Sequence, residues 1–116
     1  MRNVRPELQH AIALFNAGDY FEAHEVLEPA WMKAAPADRF FLQSVIHMAV
    51  AWHHASRQNL PGALRQLHKG LKKLAGYLPR RENVDTHALY RDALRWQAAW
   101  LAGAEPAGRA TIGVSQ

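Results

Sequence analysis

Residues 18–31 read Gly18-Asp19-Tyr20-Phe21-Glu22-Ala23-His24-Glu25-Val26-Leu27-Glu28-Pro29-Ala30-Trp31, and this stretch decides the fold. It is a helix start followed by a helix. Gly18 ends whatever precedes it. Asp19 can cap the first turn, with Glu22 three residues on, the capping-box arrangement. His24 and Glu28 stand one turn apart and so share a face, and Glu25 and Glu28 are neighbours on the same surface. Pro29 cannot donate to the Glu25 carbonyl, which predicts a kink before the helix stops near Ala35.

Working outward, the same period continues on both sides. Pro6 suits a first helical position, and Leu8, Ile12 and Phe15 follow at helical spacing. Pro36 and Asp38 open a third helix reaching about Arg57. It is apolar nearly all round, through Phe40, Phe41, Leu42, Val45, Ile46, Met48, Val50 and Trp52, which predicts a central position. Asn59 and Pro61 mark a fourth helix with Leu60, Ala63, Leu64, Leu67, Leu71, Leu74 and Leu78 on one stripe. Residues 78–85, with Pro79, Arg80, Arg81 and Asn83, read as a loop. Asp85 or Thr86 can cap a fifth helix to about Ala102, buried through Leu89, Ala93, Trp96 and Trp100. No strand-like alternation occurs. The reading is all-α: two packed helical hairpins and a closing helix in one domain over residues 1–102, with residues 103–116 a flexible Gly- and Ala-rich tail. Asp19–Trp31 also echoes Asn59–Leu71, and Gly18–Ala23 resembles the inter-helix turn of a tetratricopeptide repeat. Two units are fewer than a solenoid needs.

Composition narrows the chemistry. The chain has 116 residues, 49% of them apolar, and no cysteine. Disulfides, thiolate catalysis and cysteine-ligated zinc are therefore excluded. Met1–Pro6 carries charge with no apolar stretch behind it, and no run approaches a membrane span. Both features predict a cytoplasmic protein without membrane partners. The formal charge is +4. Arg65, Lys69, Lys72 and Lys73, with Arg80 and Arg81 beyond, make a basic outer face. No nucleic-acid motif accompanies it, so it reads as a solvated face and not as a specific nucleic-acid reader. A homo-oligomer is compatible with the composition.

The run Phe21–Leu27 with Glu28 and Trp31, followed by Leu42–Ile46, His54, Asn59, Gly62–Ala63 and Val84–Asp85, resembles the signature of a small helical family, the domain of unknown function numbered 309. That resemblance implies an all-helical bundle of bacteria and archaea and brings no assigned activity. Two positions depart from it: Gln58 stands where a Gly is expected, and His47 where a Gln is expected.

The polar residues on these helices are the candidate site. His24, Glu25, Glu28, Trp31, Gln43, His47 and His54 would meet if the second and third helices pack on their polar stripes. His24-Glu25-Val26-Leu27-Glu28 resembles the zinc-protease motif only superficially, since Glu28 replaces the second histidine. Imidazole and carboxylate suit a divalent metal, with His24, Glu28 and His54 as ligands and Glu25 as base or outer-sphere partner. Two readings stay open. The cluster lines a cleft for a metal or small ligand, or it is a buried structural network in a repeat-like interaction module. No reaction can be assigned. His53 points away from His54 and reads as a peripheral or packed residue, not a second ligand. Trp52, Trp96 and Trp100 read as core, leaving Trp31 as the tryptophan that could line a pocket.

Overall fold

A computed structural model describes residues 4–114. Met1–Asn3 of the N-terminal segment, and Ser115 and Gln116 of the expected tail, lie outside the described residues. Five helices follow in order: α1 Arg5–Asn16, α2 Tyr20–Lys33, α3 Pro36–Ser56, α4 Leu60–Leu74 and α5 Thr86–Leu101, with a single 3₁₀ turn over Ala75–Tyr77. Each helix packs on the next in sequence. Among the described residues there is no strand, only isolated bridges joining Val84 to Arg81 and Val84 to Val114.

Local chemistry sets most of the ends. Asn59 accepts from the Gly62 N–H, and Asp85 from the Ala88 N–H, each at 3.0 Å. Both side chains satisfy a donor that the first turn leaves unpaired. The capping box expected at Asp19 does not form: the Asp19 side chain makes no cap bond, and it is exposed, so water solvates it instead. The α1–α2 turn is closed from the other side. Gly18 takes φ +89°, its N–H bonds to the Phe15 carbonyl, and the Asp19 N–H bonds to the Leu14 carbonyl. This is a Schellman closure, which needs a left-handed residue. α3 ends the same way on Gln58, a non-glycine at φ 65°. Pro29 does not stop α2, which continues to Lys33. Pro29 and Glu25 are both exposed, so water can take the carbonyl that the missing N–H leaves free.

α3 is the central helix. Phe41, Leu42, Val45, Met48, Ala49 and Trp52 are buried against Leu8 and Phe15 of α1, Leu27 of α2 and Leu67 and Leu74 of α4. α4 comes unusually near α3 at Gly70, where an added Cβ would stand 3.2 Å from both the His47 Cβ and the Ser44 carbonyl oxygen.

The expected flexible tail is largely a docked strap. Ala110 and Ile112 are buried in the common core. Asn16 clamps the backbone of Ile112: its amide nitrogen donates to the Ile112 carbonyl at 3.0 Å, and its oxygen accepts from the Ile112 N–H at 2.8 Å. The Asp85 N–H donates to the Gly113 carbonyl. Gly- and Ala-rich composition allows this return course over the bundle, and one isoleucine with a paired backbone supplies the anchor.

Candidate functional site

α2 and α4 both pack on α3 but form no packed interface with each other. The side of α3 between them stays partly open. Gln43, His47, Val50 and His54 recur along that side at helical spacing, and all four are half-buried. This stripe is the floor of a polar groove. His47 reaches the α4 wall, with Nδ1 2.8 Å from the Gln66 Oε1. His54 Nδ1 lies 3.4 Å from the Asn59 amide at the start of α4. On the α2 wall His24 Nε2 meets Glu28 Oε1 at 3.2 Å. Phe21 joins this wall to α3, its ring centroid 5.4 Å from His24 and 5.1 Å from His53. His53 and His54 are 6.1 Å apart, centroid to centroid.

The spacing therefore places several expected residues along one groove without bringing them to one point. His47 and His54 are seven positions apart, about 10 Å along a helix axis, too far to bind one ion at the roughly 2 Å that metal ligands need. Among the described residues no group of three or more His, Asp or Glu side chains could hold a metal ion. The ligand set of His24, Glu28 and His54 is not assembled. Glu25 is exposed, and the base role expected for it has no metal or partner to serve. The buried network fails as well: the Glu28 side chain is 54% exposed. Trp31 is half-buried and packs against the core, and Gln43 is half-buried one turn before His47. His53, expected to be peripheral or packed, links His54 to Phe21 and the α2 wall.

The imidazoles are differently prepared. Gln66 Oε1 can only accept, so it fixes the His47 proton on Nδ1 and leaves Nε2 as a free acceptor. Burial holds the His47 pKa below its ordinary value, and nearby Lys73 and Lys69 push the same way against the Gln66 bond. His53 is also lowered, by burial first and then by Arg57, His54 and His24. On His24, the Glu28 carboxylate orients Nε2, while Nδ1 is buried with no hydrogen-bond partner among the described residues.

A second enclosure lies where α5 and the strap meet the other side of α3. Tyr20, Trp52, Trp96, Trp100, Glu105 and Arg109 are among the residues lining a cavity of about 260 Å³. The three indoles stack on one another, with Trp52 centroids 5.7 Å from Trp96 and 5.1 Å from Trp100. All three indole N–H groups are buried without a hydrogen-bond partner among the described residues. The sequence assigns these tryptophans to the core, and they are indeed 2–6% exposed. Helical period gives the burial; it does not show that no acceptor faces the N–H groups.

Comparison with known proteins gives the chain relatives. A family model described as "Domain of unknown function (DUF309)" matches residues 8–66. That span covers α1 to α3 and the start of α4, hence the groove and not the α5 tryptophans. The uncharacterized protein YpuF of Bacillus subtilis (strain 168) is 40% identical over 57 residues, which are 48% of this chain and 33% of that protein. The chain thus spans about a third of the length of that relative. A crystal structure of the conserved hypothetical protein TTHA0068 from Thermus thermophilus is similar at 40% identity and a TM-score of 0.67. The match covers 78% of this chain and 95% of that one.

Proposed function

We propose, for a chain that belongs to the DUF309 family, that the groove along α3 binds a small polar ligand without a metal. The observation that carries this reading is the state of the two groove imidazoles. His24 Nδ1 is buried with no partner among the described residues. His47 is oriented by Gln66 so that Nε2 is free to accept. A ligand with an N–H or O–H group complements the His47 acceptor, and Gln43 adds a donor and an acceptor one turn away. Burial keeps His47 neutral near pH 7, the form in which Nε2 accepts. The carboxylate of Glu28 holds His24 in its orientation from the solvent side of the groove.

The test is a thermal-shift screen of the protein against polyols, sugars, free amino acids and nucleosides, run with and without a chelator. The expected result is a compound that raises the melting point equally with and without chelator, and whose effect is lost in His47→Ala and in Gln43→Ala. Hits that persist in both variants, or that require an added divalent metal, would refute the reading.

A further inference from the structure

The cavity on the other side of α3 carries its own chemistry and does not depend on the groove. We infer that it is a binding site for a small zwitterion, a free α-amino acid with an apolar side chain. The floor sets the first requirement. Trp52, Trp96 and Trp100 line the cavity, and each has an indole N–H that is buried with no acceptor among the described residues, so a ligand meets one only where a ring turns toward the cavity. An indole nitrogen can only donate, so the complement carries acceptor atoms. An N–H turned onto a neighbouring ring recovers only part of an ordinary hydrogen bond. The Ser56 hydroxyl also lines the cavity, but its proton is already given to the His53 carbonyl at 2.7 Å.

The rim sets the second requirement. The strap brings one cation, Arg109, and one anion, Glu105, to the same mouth. Both act on the Tyr20 phenol between them: burial raises its pKa, Arg109 opposes that rise and Glu105 adds to it. The α1–α2 turn helps place the cation: Arg109 Nη1 donates to the Asn16 carbonyl at 3.3 Å. A simple anion would be drawn to Arg109 and repelled by Glu105, and a simple cation the reverse. A ligand with a carboxylate for Arg109 and an ammonium for Glu105 satisfies both.

The walls set the third. Ala55, Ala110 and the aromatic rings accept an apolar side chain. A volume of about 260 Å³ falls just under the roughly 300–1,000 Å³ of sites for drug-sized molecules, the scale of a free amino acid.

The experiment titrates the full chain with L-phenylalanine, with 3-phenylpropanoate, which lacks the ammonium, and with 2-phenylethylamine, which lacks the carboxylate. Tryptophan emission is the readout, because the reporting indoles line the cavity. Arg109 and Glu105 are both exposed, so Arg109→Gln and Glu105→Gln leave the fold intact. The expected result is saturable binding of L-phenylalanine, with each truncated analogue weaker by roughly tenfold or more. Arg109→Gln should then abolish the advantage over the amine, and Glu105→Gln the advantage over the acid. Three outcomes overturn the proposal. They are no saturable response to L-phenylalanine, as for a purely structural aromatic cluster; equal binding of either analogue; or binding unchanged in both variants.

Discussion

Replacing Ile112 with Ala tests whether the C-terminal strap is part of the folded domain. Ile112 is 1% exposed, and Asn16 pairs with its backbone on both the donor and the acceptor side. Truncating a fully buried isoleucine removes apolar contact and leaves a void, together about 2–5 kcal/mol. The strap is terminal, so it can lift away instead of closing over a void, and detachment limits the loss. We expect the low end, about 2–3 kcal/mol. For a chain of this size one kcal/mol moves the melting point by roughly 4 °C, which gives a fall of roughly 8–12 °C. The assay is a calorimetric or dichroism melt at fixed pH, with tryptophan emission recorded on the same samples. Ala110 and Arg109 of the strap line the indole cavity, so loosening the strap admits water and should shift the emission to the red. A melting point within roughly 1 °C of wild type, with unshifted emission, would refute the docked strap and restore the flexible tail that composition suggests.

Three further outcomes are expected. Gln58 sits at φ 65°, where a side chain costs about 1–2 kcal/mol; glycine loses about 0.5–1 kcal/mol more on ordering. Gln58→Gly should therefore stabilise the chain by about 0.5–1 kcal/mol in urea unfolding, and no gain would show that the turn is not strained. His47 has a folded pKa below its ordinary 6.5, so the native state binds fewer protons than the unfolded one. Stability is then fully present above pH 6.5 and is lost as pH falls through the lowered value. His47→Gln should flatten that fall in melts across mildly acid pH, leaving the slope due to His53, and an unchanged slope would contradict it. Glu28→Ala removes a solvent-facing pair to His24, so it should change stability by less than about 1 kcal/mol. A larger loss would reinstate a structural network.

The fold is legible because helical period and stop signals are local. α3 is expected from Pro36 to about Arg57 and runs Pro36–Ser56. Gly103, which follows the expected end of the fifth helix, takes φ +73° just after it. The leucine stripe predicts α4 to Leu78, yet the helix ends at Leu74 and tightens into a 3₁₀ turn. Leu78 is 38% exposed, so no burial draws the helix on. What the sequence hides depends on distant partners. Nothing near Ile112 announces its burial, because the residue that clamps it, Asn16, is 96 positions away. The groove is half legible. Spacing places Gln43, His47 and His54 on one stripe. It does not supply Gln66 as the partner that sets the His47 proton, or foresee that Phe21 carries His53 into contact with the α2 wall.

The indole triad holds the least expected energetics of the molecule. Phenylalanines at positions 52, 96 and 100 could stack on one another and, from position 52, on Phe15, and would leave no donor unpaired. Tryptophan instead puts three N–H groups where the neighbouring helical carbonyls are already engaged within their own helices. Each buried donor without an acceptor costs about 1–3 kcal/mol, so three cost roughly 3–9 kcal/mol. A chain of this size has about 5–15 kcal/mol of net stability in all. Ring stacking offsets some of this. Interplanar angles of 60–69° allow an N–H to approach a neighbouring π-face, worth about 0.5–1 kcal/mol. The nitrogens have almost no open surface, so the remainder is recovered only where a ring turns its N–H toward an acceptor in the cavity. Stability of this domain should therefore respond to what occupies the cavity more strongly than to changes along the solvent-facing groove, where water already reaches Glu28.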